Sequence, residues 1–155
     1  MRYVNLGNYK GGKDLPDVRY HPSVADRVLE GLALLPVLAL WGYVLARHLR
    51  GGEVGAEYYV SGILAAGCYV LLFVSSRCSV RHINFPFRVH RGNVVRQYVL
   101  VLRLVRVLNV LTGCLLVFSP FMEAGHRWAG AGFALSLALL AVSLAGYMVL
   151  AYRQR

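Results

Sequence analysis

Four long blocks almost free of charged residues constrain this chain more than any other feature. They cover residues 28–46, 58–76, 107–122 and 128–152, and Glu30 is the one charged residue within them. A helix that crosses about 30 Å of hydrocarbon at about 1.5 Å per residue needs roughly 20 apolar residues. Core helices and strands of soluble domains rarely run this long without a charge. The blocks therefore predict four transmembrane helices.

The composition leads to the same fold class. Hydrophobic residues make up 57% of the 155 residues and charged residues 15%, whereas soluble domains carry about 25% charged residues. Disordered chains are poor in apolar residues, so disorder is excluded. We predict an all-α, polytopic integral membrane protein. Its parts are a polar cytoplasmic leader at 1–27 and a four-helix membrane domain at 28–155, with spans at about 28–47, 58–76, 98–122 and 129–152.

The basic residues are distributed unevenly along the chain. Of the 17 lysines and arginines, 14 lie in three regions: the leader, the segment between the second and third blocks (which includes the start of the third helix), and the tail. The other three are Arg47, Arg50 and Arg127. Basic residues in short loops stay cytoplasmic, which is the positive-inside rule. This distribution predicts a multi-pass protein of a bacterial inner membrane with both termini in the cytoplasm.

The net charge of +10 also bears on the partners. Each basic residue near an anionic bilayer contributes about 1 kcal/mol of attraction to its headgroups. A protein that binds nucleic acid would combine its charge with a recognition module, and the sequence contains none. We therefore expect a lipid bilayer with anionic headgroups as partner, and no nucleic acid.

Residues with metal-binding or redox chemistry are few and widely spaced. The three cysteines have no CxxC spacing and are expected to be free thiols in the membrane domain: Cys68, Cys78 and Cys114. The two short outer loops carry a set of side chains that either converge on a metal or are simply solvated: His48, Glu53, Glu57, Glu123 and His126. Because no histidine pair has the spacing of a helical zinc site, the solvated reading is favoured. We expect no metal and no cofactor.

Two charged residues near the ends of spans form a possible pair. Glu30 is either an interfacial carboxylate favoured by the dipole of its helix or part of an ion relay. Its closeness to Arg27 favours the interface. The uncharged stretch 107–122 covers only about 24 Å, which puts Arg106 at the hydrocarbon edge, where it reaches either lipid phosphate or Glu30. We predict a Glu30–Arg106 intramembrane pair.

The segment between the second and third blocks carries the one recognisable motif. It reads HINFPFRVHRGNVVRQYVLVLRLVRVLN, and its distinctive residues are Asn84, Pro86, Asn93, Gln97, Tyr98, Arg103 and Arg106. In this order they resemble the membrane family called domain of unknown function 1648, found also in immunity proteins of the Sdp toxin system. Bacteroidete-type members are the most similar. The chain departs from that family in its shortened first outer loop, HLRGGEVGAE.

The motif has two readings. It is either an interaction site, as the resemblance to immunity and signal proteins implies, or a clip that positions the third helix. Pro86 between two aromatic rings suits an extended turn at the interface, Asn93 suits a helix N-cap, and Gln97 is placed to hydrogen-bond within the first turns of the helix. These local roles favour the clip.

Two classes of function remain. The leading hypothesis is a small non-enzymatic membrane protein that acts through lipid, a membrane protein partner or a second copy of itself. The alternative is a transporter or channel subunit, for which the candidate polar residues at mid-membrane are Asn109, Thr112, Ser136 and Ser143. No group of residues resembles a catalytic cluster, so we do not expect an enzyme.

Overall fold

The computed structural model describes residues 20–83, 85 and 93–153. This part of the chain forms four α-helices: α1 (Val24–Leu49), α2 (Ala56–Ser75), α3 (Val94–Glu123) and α4 (Arg127–Arg153). Each is long and apolar enough to cross a membrane, and the described residues contain no β-strand. The prediction of an all-α protein with four transmembrane helices is confirmed.

The helices extend beyond the predicted spans at most ends. α1 begins at Val24 rather than at residue 28, so the last four residues of the predicted leader form its first turn. α3 begins at Val94 rather than at residue 98, and its 30 residues make it about 45 Å long. α2 ends at Ser75, one residue before the predicted boundary. The extra turn of α1 carries Asp26, one of the charged residues described below.

α1 begins with a capping box. The Ser23 side chain accepts a hydrogen bond from the Asp26 backbone N–H, and the Asp26 carboxylate accepts one from the Ser23 backbone N–H. This exchange satisfies two amide groups that the first turn of a helix otherwise leaves unpaired. It also fixes the Asp26 side chain on the face that α1 turns toward α3.

Two connections between helices are closed by glycines with left-handed backbone conformation. Gly51 has φ +70° and Gly125 has φ +84°. At Gly125 the backbone N–H donates to Met122, and that of His126 donates to Phe121, which is the Schellman arrangement at a helix C-terminus. The α1–α2 and α3–α4 connections are therefore short, and the two helices of each pair lie antiparallel.

α3 lies at the centre of the bundle. It packs against α1, α2 and α4, whereas α4 packs mainly against α3. Hydrogen bonds join the N-terminal parts of α1 and α3 to the C-terminal ends of α2 and α4, and we call this end of the bundle the arginine end. At the opposite, aromatic end, the rings of Tyr43, Tyr58 and Phe121 pack with centroids 4.9–5.3 Å apart. Such rings are typical of membrane interfaces.

Candidate functional site: a buried charge cluster

Five charged side chains from three parts of the chain meet at the arginine end. They are Asp26, Glu30, Arg77, Arg103 and Arg106, and we call them the charge cluster. Asp26 is 0% exposed and Arg106 is 2% exposed. Charged residues are almost never buried this completely unless they are paired, so the cluster is the most distinctive chemical feature of the described chain.

Arg106 is the centre of the cluster. Its Nε lies 3.0 Å from Glu30 Oε1, and one terminal nitrogen lies 3.8 Å from Asp26 Oδ1. The two terminal nitrogens donate to the backbone carbonyls of Leu102 and Ser76, each at 3.3 Å. The fork of donors on one guanidinium thus joins α1, the end of α2 and α3.

The two carboxylate oxygens of Asp26 have different partners. Its Oδ2 accepts hydrogen bonds from the Ser23 backbone N–H, the Ser23 hydroxyl and the Tyr20 hydroxyl, at 2.6–2.9 Å. Its Oδ1 accepts no hydrogen bond from the described residues and faces Arg103 at 3.5 Å and Arg106 at 3.8 Å. Burial of the carboxylate is therefore balanced by three hydrogen bonds and two guanidinium groups.

Glu30 links the buried part of the cluster to its exposed rim. Its Oε2 accepts a hydrogen bond of 2.8 Å from Arg77, whose side chain is 43% exposed. The Arg77 guanidinium also lies 3.6 Å above the ring of Phe73, a cation–π contact. Exposed ion pairs contribute little to stability because solvent screens them, so the Arg106 side of Glu30 has the stronger interaction.

The cluster combines three arginines with two carboxylates and so carries a net charge of +1. Both carboxylates lie in the first two turns of α1, where the helix dipole favours negative charge. The positive charge that the cluster exposes is on two half-exposed side chains, Arg77 and Arg103. The arrangement can fasten three helices together while it presents guanidinium groups toward an anionic neighbour.

The two residues of the predicted intramembrane pair, Glu30 and Arg106, are in contact. Asp26 was not predicted to join them, because it lies in the predicted polar leader. Two signals indicated otherwise. Ser23 and Asp26 have the spacing of a capping box before an apolar run, and Asp26 and Glu30 are four residues apart, which places both on one face of a helix.

Three of the other motif residues lie in the described part of the chain: Asn93, Gln97 and Tyr98. Asn84 and Pro86 lie outside the described residues. Asn93 occupies the N-cap position of α3, as expected, but its side chain makes no capping hydrogen bond. Gln97 was expected to bond within its own helix; instead its amide donates to the Ala151 carbonyl of α4 at 2.8 Å. Tyr98 donates to the Cys78 carbonyl at 2.8 Å.

Three of the four mid-membrane polar residues donate to backbone carbonyls. Asn109 donates across the bundle to the Tyr69 carbonyl of α2 at 3.3 Å. Ser136 and Ser143 donate to carbonyls one turn earlier in α4. These contacts engage three of the four polar residues that a transport path was expected to use.

The outer-loop residues do not assemble into a metal site in the described part of the chain. No group of three His, Cys, Asp or Glu side chains there has a metal-binding arrangement. The three cysteines are free and partly buried.

Comparison of the chain with protein-family models, with curated proteins and with solved structures found no match.

Proposed function

We propose that this chain is a small non-enzymatic protein of a bacterial inner membrane that acts by binding a membrane partner through α4. The observation that carries the proposal is the one-sided packing of this helix. Within its most apolar stretch only 6% of the residues are buried, against 22–28% in the other three helices. A helix that packs mainly against a single neighbour leaves most of its surface available to a partner.

The free side of α4 has the composition of a helix–helix interface. Small residues recur there at helical spacing, and four of them are exposed: Ala134, Ala138, Ala141 and Ala145. In lipid, small residues permit the close backbone approach on which helix association depends. The partner is accordingly a transmembrane helix, either of another protein or of a second copy of this chain.

The resemblance of residues 82–109 to the domain of unknown function 1648 implies a role like that of Sdp-type immunity or signal proteins, and we adopt it as the biological setting. Binding to a membrane protein is consistent with such a role. The distribution of 14 basic residues against three supports cytoplasmic termini. Arg106 and Gln97 bond within the bundle, which favours the clip reading for these two motif residues.

Site-specific photo-crosslinking in native membranes tests the proposal. A photoreactive phenylalanine analogue at Val142, which is exposed beside Ala138 and Ala145 on α4, is expected to give a discrete adduct band, whereas the same group at Leu71, which is exposed on α2, gives none. Ala138→Leu in the Val142 derivative should remove the band, because the larger side chain separates the helices.

Two outcomes would contradict it. One is an equal pattern from Val142 and Leu71, which would mean that the α4 face meets only lipid. The other is ion flux from the purified protein in liposomes, which would favour the alternative of a transporter or channel subunit.

A further inference from the structure

A groove between α3 and α4 opens at the arginine end of the bundle. Its volume is about 240 Å³, and its walls are mostly apolar: Leu100, Leu104, Val107, Gly146, Tyr147 and Leu150. Arg103 also lines it. By helical periodicity the α4 wall of the groove lies opposite the row of exposed alanines, so the groove is separate from the surface proposed for the partner helix.

Arg103 brings a positive charge to this groove. Its side chain is 46% exposed, and its closest approach to Asp26 is 3.5 Å, longer than the roughly 2.7–2.9 Å of a charge-assisted hydrogen bond. It donates no hydrogen bond within the described part of the chain. The Asp26 carboxylate already accepts hydrogen bonds from Ser23 and Tyr20 and forms an ion pair with Arg106. The Arg103 guanidinium can therefore bind an external anion.

The depth of Arg103 matches that of a lipid phosphate. From Arg106 to the end of α3 at Glu123 the helix rises about 26 Å, close to the thickness of the hydrocarbon core, which is about 30 Å. Arg103 lies one turn beyond Arg106 and so reaches the headgroup level. The groove continues past it toward Val107, which lies inside the hydrocarbon.

The groove stays open because of Gly146. A Cβ atom at this position would have no heavy atom within 4 Å, so the glycine leaves space that a larger side chain would occupy without displacing the helix. Apolar walls below a half-exposed arginine fit an acyl chain below a phosphate. A free phosphate ion would use only the arginine.

We propose that the α3–α4 groove binds one anionic phospholipid, with the phosphate on Arg103 and an acyl chain between Leu104 and Tyr147. The net positive charge of the cluster selects an anionic headgroup over a zwitterionic one. The site does not depend on the proposed partner of α4.

Native mass spectrometry of the full chain in mild detergent tests this site. The titrants are dioleoyl phosphatidylglycerol and dioleoyl phosphatidylcholine, which have the same chains and different headgroup charge. The first phosphatidylglycerol is expected to bind at least ten-fold more tightly than phosphatidylcholine. Arg103→Gln should weaken it about ten-fold (about 1.4 kcal/mol), while Arg96→Gln, which removes an exposed charge from the same helix outside the groove, changes it less than two-fold.

A second pair of variants tests the apolar part without touching any charge. Gly146→Leu should fill the groove and weaken the first phosphatidylglycerol about ten-fold. Gly67→Leu on α2, where a Cβ is equally free of contacts, should have no effect. If Arg103→Gln does not fold, this pair still decides the question. Ala138→Leu should abolish the α4 adduct and leave lipid binding intact, so the two proposals fail separately.

Three results would overturn the inference. Equal binding of the two lipids would remove the role of charge. Equal weakening by Arg96→Gln and Arg103→Gln would indicate diffuse attraction to the whole basic surface. Phosphatidylglycerol binding that Gly146→Leu leaves unchanged would mean that no chain enters the groove.

Discussion

At the scale of single residues, the stability of the arginine end depends on Arg106. Removing its charge with Arg106→Gln leaves Asp26 and the buried side of Glu30 without their shared guanidinium. Breaking a buried ion pair by removing one partner costs about 3–5 kcal/mol, and we expect that loss in the free energy of unfolding, measured by circular dichroism during denaturation in mixed micelles.

The matched control is Arg27→Gln. Arg27 is an exposed arginine in the first turn of α1 and makes no ion pair in the described part of the chain. Surface changes of this kind usually stay within about 0.5 kcal/mol. Equal losses in the two variants would show that total charge, rather than the buried pairing, stabilises this end.

The interaction of Glu30 with Arg106 can be measured separately. Glu30→Gln keeps the shape of the side chain and removes its charge, and hydrogen bonds to charged groups contribute about 1.5–3 kcal/mol. In a double-mutant cycle with Arg106→Gln we expect the two losses to be non-additive by about 0.5–3 kcal/mol, as for residues in direct contact. Additive losses would show that the two residues stabilise the bundle independently.

At the scale of helices, the α3–α4 contact depends on a glycine. A Cβ at Gly132 would lie 2.7–2.9 Å from three ring atoms of Phe118, whereas one at Gly146 meets nothing within 4 Å. Gly132→Ala should therefore unfold more easily than Gly146→Ala by about 1–3 kcal/mol, the usual cost of overpacking. Both changes gain the same helix propensity, so it cancels in the comparison. Similar thermal midpoints for the two variants would mean that the ring moves aside freely.

The end of α3 depends on Gly125 for a different reason. Its φ of +84° lies in the left-handed region, which costs other L-residues about 1–2 kcal/mol. We expect Gly125→Ala to lower the free energy of unfolding by about that amount. Gly42→Ala on α1 should not lower the free energy of unfolding, because this glycine has no positive φ and an added Cβ would meet no neighbour. Equal effects would show that the turn tolerates the side chain.

The sequence predicts the helices of this protein better than it predicts their faces. Long uncharged blocks locate the four spans because the thickness of the bilayer fixes how many apolar residues a span needs. They do not show which side of α4 meets α3, since in lipid the buried and the exposed faces of a helix are equally apolar. The depth argument identified Glu30 and Arg106, but it did not extend to Asp26, which lies in the predicted polar leader. Its burial depends on how α1 packs against α3.

At the scale of the whole molecule, the charge distribution predicts an orientation. The leader, the α2–α3 segment with the start of α3, and the tail contain 14 of the 17 basic residues, and each of these segments adjoins a helix terminus at the arginine end. Basic residues near span ends resist translocation.

In a variant with the three native cysteines replaced by alanine, we expect a cysteine at Glu53, exposed in the α1–α2 connection, to react with a membrane-impermeant maleimide in intact cells. A cysteine at His82, exposed between α2 and α3, should react only after lysis. The reverse pattern would place the arginine end outside the cell. It would also separate Arg103 from the cytoplasmic leaflet, whose anionic lipids the groove is proposed to bind.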